Sequence, residues 1–593
     1  MKEKSKMKRH TLTSRREFLR LVAIGATGSA VSLLAAPVAL ATPPRSTERA
    51  ATIALAGIEL SQSVTLPDDA APLDQQVLRY MIKEDRYIAS GIGGYNVMWD
   101  LRGMLFESLT AYTNDWDYEK GMADSWEVSP DGTVYTYHIN PGLTWSDGRP
   151  ITADDYVNHY KILLDPKNAT DVAWYFYPIV NGEEINHGTA EIDSLGAKAL
   201  DANTLEVTLK EPTPYWNHFM AYGDPRPYAK HLWDQFGDTY YTTLDSTATS
   251  GYWKITDWTK GKGIVAEARN DYKGNWPGYL QRIEFPFGDP TTHFAAYQRG
   301  ETDIVGDIPA PGDIAAIKSD STLSQEMYTW PNWTDWYLLF HTQDGPYKDL
   351  RVRQAVSHCV DREAICNGPL KDLGVPSYTV IPPGFPGNQV DNPEMRTIQN
   401  FDPDVARKLL ADAGYPNGQG FPEMDLWIRG TGGAIVTQQA AAESIQAMLK
   451  DILGIRVNLR PEDARIYMGA LGKYQIGITL LSWAFDFTDP VNMVAIPFRS
   501  KYPNQGGRLD WKNDEFDALV DRAGPVSDIP TRYKMFQDAE KILLQDVGAV
   551  TVYHPISHQL WKPYLKGITA NKGGITQWAN IKNQAPMLYI ANR

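Results

Sequence analysis

A chain of 593 residues exceeds what one hydrophobic core supports, so two or three domains are expected. The formal net charge is −15, and the first 41 residues hold eight Lys/Arg against two Asp/Glu, a local +6 that leaves −21 on the remainder. Nucleic acid and anionic membrane surfaces repel so acidic a body, which excludes both as charge-driven partners.

The basic start leads to Ser14-Arg15-Arg16-Glu17-Phe18-Leu19-Arg20 and an uncharged run from Leu21 to Ala41 that ends in Ala39-Leu40-Ala41. This is the pattern of a signal peptide cleaved after Ala41, and its paired arginines resemble the twin-arginine export motif. Gly25, Gly28, Ser29, Ser32 and Pro37 make the run a poor membrane anchor, and no later stretch is apolar enough to span a bilayer. The only cysteines are Cys359 and Cys366, so none near the signal accepts a lipid. On one unbroken helix roughly 10 Å of rise would separate them, beyond disulfide reach, whereas a break near Asp361 leaves a bond open.

Residues 42 to about 70 form a polar lead-in around the apolar stretch Ile53–Leu60. Thr133 to Ile139 alternates as a half-buried strand between a Pro130-Asp131-Gly132 turn and Pro141-Gly142. A second turn, Ser146-Asp147-Gly148, leads through Pro150 to Thr152, a helix N-cap with Asp155 at N3. Leu205–Leu209 reads as a strand closed by Glu211-Pro212, and Ser250-Gly251-Tyr252-Trp253 with Asn270-Asp271-Tyr272 brackets a hairpin. A helix is predicted over Arg351–Cys366, with Asp349 before it and Gly368 after it. In a second helix Asp402 caps, Pro403 stands at N1, Leu409 and Leu410 face the core and Gly414 takes C′. Ala441 to Val457 reads as a helix giving way to a buried strand, Ile455-Arg456-Val457. Finally an apolar strand, Ile476 to Leu481, runs into Ser482-Trp483-Ala484-Phe485-Asp486, so Asp486 emerges beside aromatic surface at a buried strand's end.

The stretch Ala123 to Asp155, ADSWEVSPDGTVYTYHINPGLTWSDGRPITADD, resembles the pattern of the family-5 extracytoplasmic solute-binding proteins, the peptide, opine and nickel receptors of ABC importers. That pattern is a helix with an acid before Ser-Trp, a strand pair, and a Trp-Ser-Asp-Gly turn before a helix starting Thr-Ala-x-Asp. The resemblance runs from about 100 to 560 and includes Tyr297–Ile304, YQRGETDI, where the family chain crosses into its second lobe. Tyr252 stands where the family usually has Pro. It implies an α/β, two-lobed periplasmic-binding-protein fold of the class II or cluster C type, with an extra subdomain on the first lobe and a two-segment hinge. The implied order is a signal peptide at 1–41, lobe I at 42–95, the subdomain at 96–195, lobe I again at 196–302, lobe II at 303–525, and a return to lobe I at 526–593.

The resemblance also implies a site. In the family's peptide receptors the Asp three residues after this Trp pairs with the ligand's α-ammonium group, which makes Asp486 the amino-group anchor. A carboxylate in a closing, water-poor cleft gains a charge-assisted hydrogen bond from an ammonium group and selects against anions. Trp483, between Ser482 and Ala484, either supports the ligand or belongs to the core. Glu107-Ser108-Leu109 matches a strand edge that pairs with a peptide main chain. Ser250 falls where related receptors place a polar contact, and Trp174, Tyr175 and Tyr177 form an aromatic cluster that lines the cleft or packs. The implied partners are a small-molecule or short-peptide ligand and, as separate chains, an ABC permease and ATPase, for a periplasmic monomer with no cofactor and no metal.

Rival readings have thinner support. His554 and His558 share an i, i+4 spacing, but Pro555 intervenes and the glutamate of HExxH is missing, so a zinc-protease reading fails. No G-x-S-x-G elbow or P-loop is present, and Gly91-Ile92-Gly93-Gly94 is too short for a dinucleotide fingerprint, which leaves little for a twin-arginine-exported enzyme. Among ligands, peptides or opine-like conjugates come first because of Asp486. Oligosaccharides, held by stacked Trp and Tyr, are the alternative; nickel ranks third without a His cluster, and a chaperone-like role needs a broad apolar groove.

Overall fold

In the computed structural model the described residues are 65–89, 97–113, 115–170, 172–223, 225–306, 311–430, 435–500, 509–567 and 585–593. The signal segment 1–41, the stretch Ile53–Leu60 and Gly91–Gly94 lie outside them. The strands gather into two sheets of four, one of eight and two small ribbons, with helices packed against them in an α/β arrangement.

The first lobe holds both four-stranded sheets. One is mixed: Val77–Arg79 runs parallel to Arg282–Pro286, which continues antiparallel to Gly263–Ala268 and Trp253–Thr259. The other is antiparallel, in the order Ala123–Val128, Val134–Ile139, Thr204–Thr208, Ala197–Asp201. Val134–Ile139 buries Tyr135, Tyr137 and Ile139 on one face, the alternation expected of it. The buried phenols are satisfied: Tyr135 donates to the Thr213 carbonyl at 3.1 Å and Tyr137 to Asn217 Oδ1 at 2.6 Å. Asp124-Ser125-Trp126 lies on a strand and not on the expected helix, because the edge of Val134–Ile139 must be paired and Trp126 stands opposite Tyr137. The sheet also extends past residue 195, since Thr204–Thr208 pairs with Val134–Ile139.

The turns are as read. Gly132 and Gly148 hold φ of +71° and +87°, where a side chain would be strained. Thr152 and Asp155 form the capping box, with the Asp155 carboxylate accepting the Thr152 N–H at 2.9 Å.

The second lobe is built on the eight-stranded sheet, in the order Ile304–Val305, Val550–Trp561, Thr334–Phe340, Ile478–Ala484, Met424–Arg429, Val457–Glu462. Val550–Trp561 is apolar or buried almost throughout and also pairs with Met327–Pro331 and Gly374–Pro376, so it has no exposed edge. That burial corrects the expected return to the first lobe at 526: helix Ile529–Gln545 and strand Val550–Trp561 belong to the second. Among the described residues the chain rejoins the first through 565–566 and 585–593, where the Ile590 carbonyl accepts the Gln76 amide at 2.8 Å.

Two further expectations shift. Arg351–Cys366 is two helices, Leu350–Cys359 and Arg362–Asn367, because Asp361 turns its carboxylate onto the Ala364 N–H at 2.9 Å and starts a new helix. Cys359 and Cys366 are free and buried, and burial pushes both thiols up to about 12. The strand placed at Ile455–Val457 begins at Val457 and runs to Glu462, after a helix ending at Gly454 with φ +71°.

The two connections between the lobes lie side by side. Asp303, 1% exposed, takes the Arg79 guanidinium and backbone N–H on its carboxylate, each at 2.7 Å, and the Tyr564 hydroxyl at 2.6 Å. Lys562 N–H adds a bond to the Asp303 carbonyl at 3.0 Å. One buried carboxylate therefore ties together both crossings and the first strand of the first lobe.

A candidate ligand site between the lobes

Strand Ile478–Ala484 delivers its end to the first lobe. Ser482 stands opposite Trp336, Trp483 opposite Asp335 and Ala484 opposite Thr334. Past the strand, the Phe485 N–H bonds to the Trp333 carbonyl at 3.0 Å, and the chain turns into helix Pro490–Phe498. Asp486 sits half-buried in that turn. Its Oδ1 accepts the Tyr222 hydroxyl of the first lobe at 3.1 Å, while its Oδ2 accepts the Asn492 amide at 3.0 Å. Tyr222 is held in turn by Arg102, whose guanidinium lies 4.7 Å from the ring centre.

Aromatic surface surrounds this carboxylate. Trp174 of the first lobe has its ring centre 6.2 Å from that of Trp483 and 3.9 Å from that of Tyr175. Tyr177 donates its hydroxyl to Asn186 Oδ1 at 2.7 Å. Trp116 packs its ring 5.0 Å from Trp333 and 5.2 Å from Phe485, and Tyr215 stacks on Phe487 at 5.0 Å. Trp116 holds φ +64°, a left-handed backbone that a bulky residue keeps only where its surroundings fix it. Its carbonyl accepts the Thr488 hydroxyl at 3.1 Å, and Thr488 also meets His218 Nδ1 at 2.8 Å. These contacts draw the lobes into a closed arrangement in which a carboxylate lies among aromatic rings.

The second group of predicted residues is built differently. Ser250 accepts the Glu107 N–H on its hydroxyl at 3.0 Å, so the two do meet. The turn of the Trp-Ser-Asp-Gly motif places them: Ser146 exchanges two bonds with Thr249, both 2.9 Å, and Arg269 bridges the Trp145 and Gly251 carbonyls. Glu107 takes the Tyr272 hydroxyl at 2.6 Å, its Oε2 is sealed from solvent, and burial pushes the carboxyl up to about 7. At the expected main-chain pairing edge the carbonyls of Ser108 and Leu109 are taken by the chain itself. Met122 N–H takes the Ser108 carbonyl, and Gly121 and Ala123 take that of Leu109, because the chain folds back on itself there.

Below strand Ile478–Ala484, Ser377 Oγ lies 3.0 Å from His554 Nε2, and His554 Nδ1 lies 3.4 Å from Asp335, the order of a hydrolytic triad. All three are at most 1% exposed and Ser377 donates to the Thr379 carbonyl, so this group packs the core. Burial pushes Asp335 well up and His554 down to about 4. His558 is likewise engaged, with Thr329 and the Asp372 carbonyl. Tyr222, Asn492 and Trp116 carried no signal in the sequence, and Thr488, two residues past Asp486, lay beside the motif without a role assigned to it.

Comparison with known proteins agrees with this architecture. The family described as bacterial extracellular solute-binding proteins, family 5 (middle), matches residues 117–505. The probable deoxycholate-binding periplasmic protein YgiS of Escherichia coli is 29% identical over 469 residues, 78% of this chain and 85% of that one. The periplasmic oligopeptide-binding protein OppA of Salmonella typhimurium is 27% identical over 542 residues, covering 91% of this chain and 95% of its own. Among solved structures, the oligopeptide-binding protein OppAIV of Borrelia burgdorferi superposes with a TM-score of 0.71 at 27% identity, over 86% of this chain and 99% of its own. The two-lobed α/β fold, the match over most of its length and these relatives place the chain in family 5 of the bacterial extracellular solute-binding proteins.

Proposed function

We propose that this solute-binding protein captures a short peptide, or an amino-acid conjugate of opine type, between its lobes and delivers it to an ABC permease and ATPase carried on separate chains. One observation carries the reading: Asp486 presents a carboxylate at the junction of the lobes, oriented from one side by Asn492 and from the other by Tyr222. An ammonium group brought there meets a charge already held in place, so little ordering remains to oppose binding. The peptide-binding relatives support the same ligand class. An anion such as the deoxycholate named for YgiS would oppose Asp486. Among the described residues no helix is long and apolar enough to cross a membrane. We read the paired arginines Arg15 and Arg16 as the export signal of a periplasmic, unlipidated monomer.

Native mass spectrometry of freshly purified protein tests the ligand class, because a co-purified peptide, opine, sugar or bile acid differs in mass. Asp486→Asn is expected to cut affinity for a free-amine peptide by more than about tenfold, or about 1.4 kcal/mol. An unchanged titration, or a co-purified anion, overturns the reading.

A further inference from the structure

We infer that Asn492 is the positioning residue that gives Asp486 its selectivity for a free amino group; the inference rests on the ammonium-anchor reading above. Asn492 is fully buried on the first turn of helix Pro490–Phe498. The start of that helix is itself fixed: Asp489 caps it by accepting the Val491 N–H at 2.9 Å, and Arg532 grips the Asp489 carboxylate with two bonds of 2.9 and 3.0 Å. From this mount the Asn492 side chain reaches back under the 485–488 turn.

Its single amide makes three bonds. Oδ1 accepts the Asp486 backbone N–H at 2.9 Å and the Trp483 indole N–H at 3.3 Å, while Nδ2 donates to Asp486 Oδ2 at 3.0 Å. The amide has one orientation, since a flip would set its NH2 against two N–H donors and its oxygen against a carboxylate. Backbone, carboxylate and indole of the predicted site are thus referred to one rigid group.

The residue type matters as much as the place. A Lys or Arg here would pair with Asp486 and cancel the charge a ligand ammonium requires. An Asp would set two carboxylates within hydrogen-bond distance, where they share a proton. A shorter aliphatic side chain would leave the carboxylate free to turn. Asparagine orients the charge without neutralising it, and leaves Asp486 Oδ1 directed toward Tyr222 of the first lobe.

The test compares retention of an equimolar tripeptide pool with free amino termini against the same pool N-acetylated, by native mass spectrometry, for wild type, Asp486→Asn, Asn492→Ala and Asn492→Asp. Asn492→Ala is expected to reduce the preference for free amino termini by about ten- to a hundredfold, the scale known for groups one layer behind metal ligands, while retention of acetylated peptides stays at the wild-type level. Asn492→Asp keeps the shape and is expected to make the preference fall more steeply than in wild type between about pH 8 and about pH 5 as the paired carboxylates take up a proton. An unchanged preference in Asn492→Ala, or equal loss of both pools, overturns the positioning role while Asp486→Asn still loses the preference. If wild type shows no preference, or Asp486→Asn retains it, the anchor reading itself fails and the inference with it.

Discussion

Glu540 shows how far burial governs a single residue. It is fully buried, its Oε1 accepts the Val380 and Ile381 N–H groups, and its Oε2 accepts the Gln389 amide, yet burial outweighs these donors and pushes the carboxyl from 4.5 up to about 7. A raised carboxyl holds its proton in the folded chain after the unfolded chain has released it. The stabilisation is present below the unfolded value and is lost as pH rises through about 7. His554, depressed to about 4, acts in the opposite sense, gaining stability as pH rises toward its unfolded value. The informative quantity is therefore a difference: the urea midpoint of wild type relative to Glu540→Gln should fall between about pH 5 and about pH 8. A difference that does not move with pH would mean that Glu540 is not protonated in the fold. At this scale the sequence exposed Asp486 and Trp483, because they lie in a motif. It was silent on Tyr222, which is 264 residues from the carboxylate it bonds.

The capped elements were the most legible ones, since a cap is a contact between neighbours in sequence. Thr152 with Asp155, and Asp402 with its bonds to the Asp404 and Val405 N–H groups, form as read. The strand at Ser125–Trp126 and the break at Asp361 were not legible, because partner strands and competing side chains decide them. Asp489 joins the two kinds of contact. It caps its own helix and also forms a buried ion pair with Arg532, 1% exposed, on helix Ile529–Gln545. Removing one partner leaves a buried charge uncompensated, so Arg532→Ala is expected to cost about 3–5 kcal/mol in urea denaturation. A loss below about 1 kcal/mol, as for an exposed pair, would show that water reaches Asp489.

At the scale of the whole molecule, bonds at two places join the lobes. Asp303 ties the two lobe connections to Arg79, and the far side of the cleft is drawn together by Tyr222 with Asp486 and by Thr488 with His218 and Trp116. These are bonds of the chain with itself, so they bias the closed state before any ligand adds its share. Tyr222→Phe removes one of them, worth about 0.5–1.5 kcal/mol, and should shift the closed-to-open ratio toward open by roughly two- to twelvefold. Small-angle scattering of ligand-free protein would then show a larger radius of gyration than wild type, and an equal radius would exclude the latch.

The sequence by itself determined the local and periodic features: the acidic body, the turns at Gly132 and Gly148, the helix caps and the strand that runs into Asp486. Each depends on residues close together along the chain, where backbone geometry and hydrogen bonding act directly. Only the tertiary structure decided that Val550–Trp561 completes the second lobe, that Ser108 and Leu109 have their carbonyls occupied, and that Asp486 is clamped between Asn492 and Tyr222. Those outcomes depend on burial and on partners brought from distant segments, and neither is encoded in any short stretch of residues.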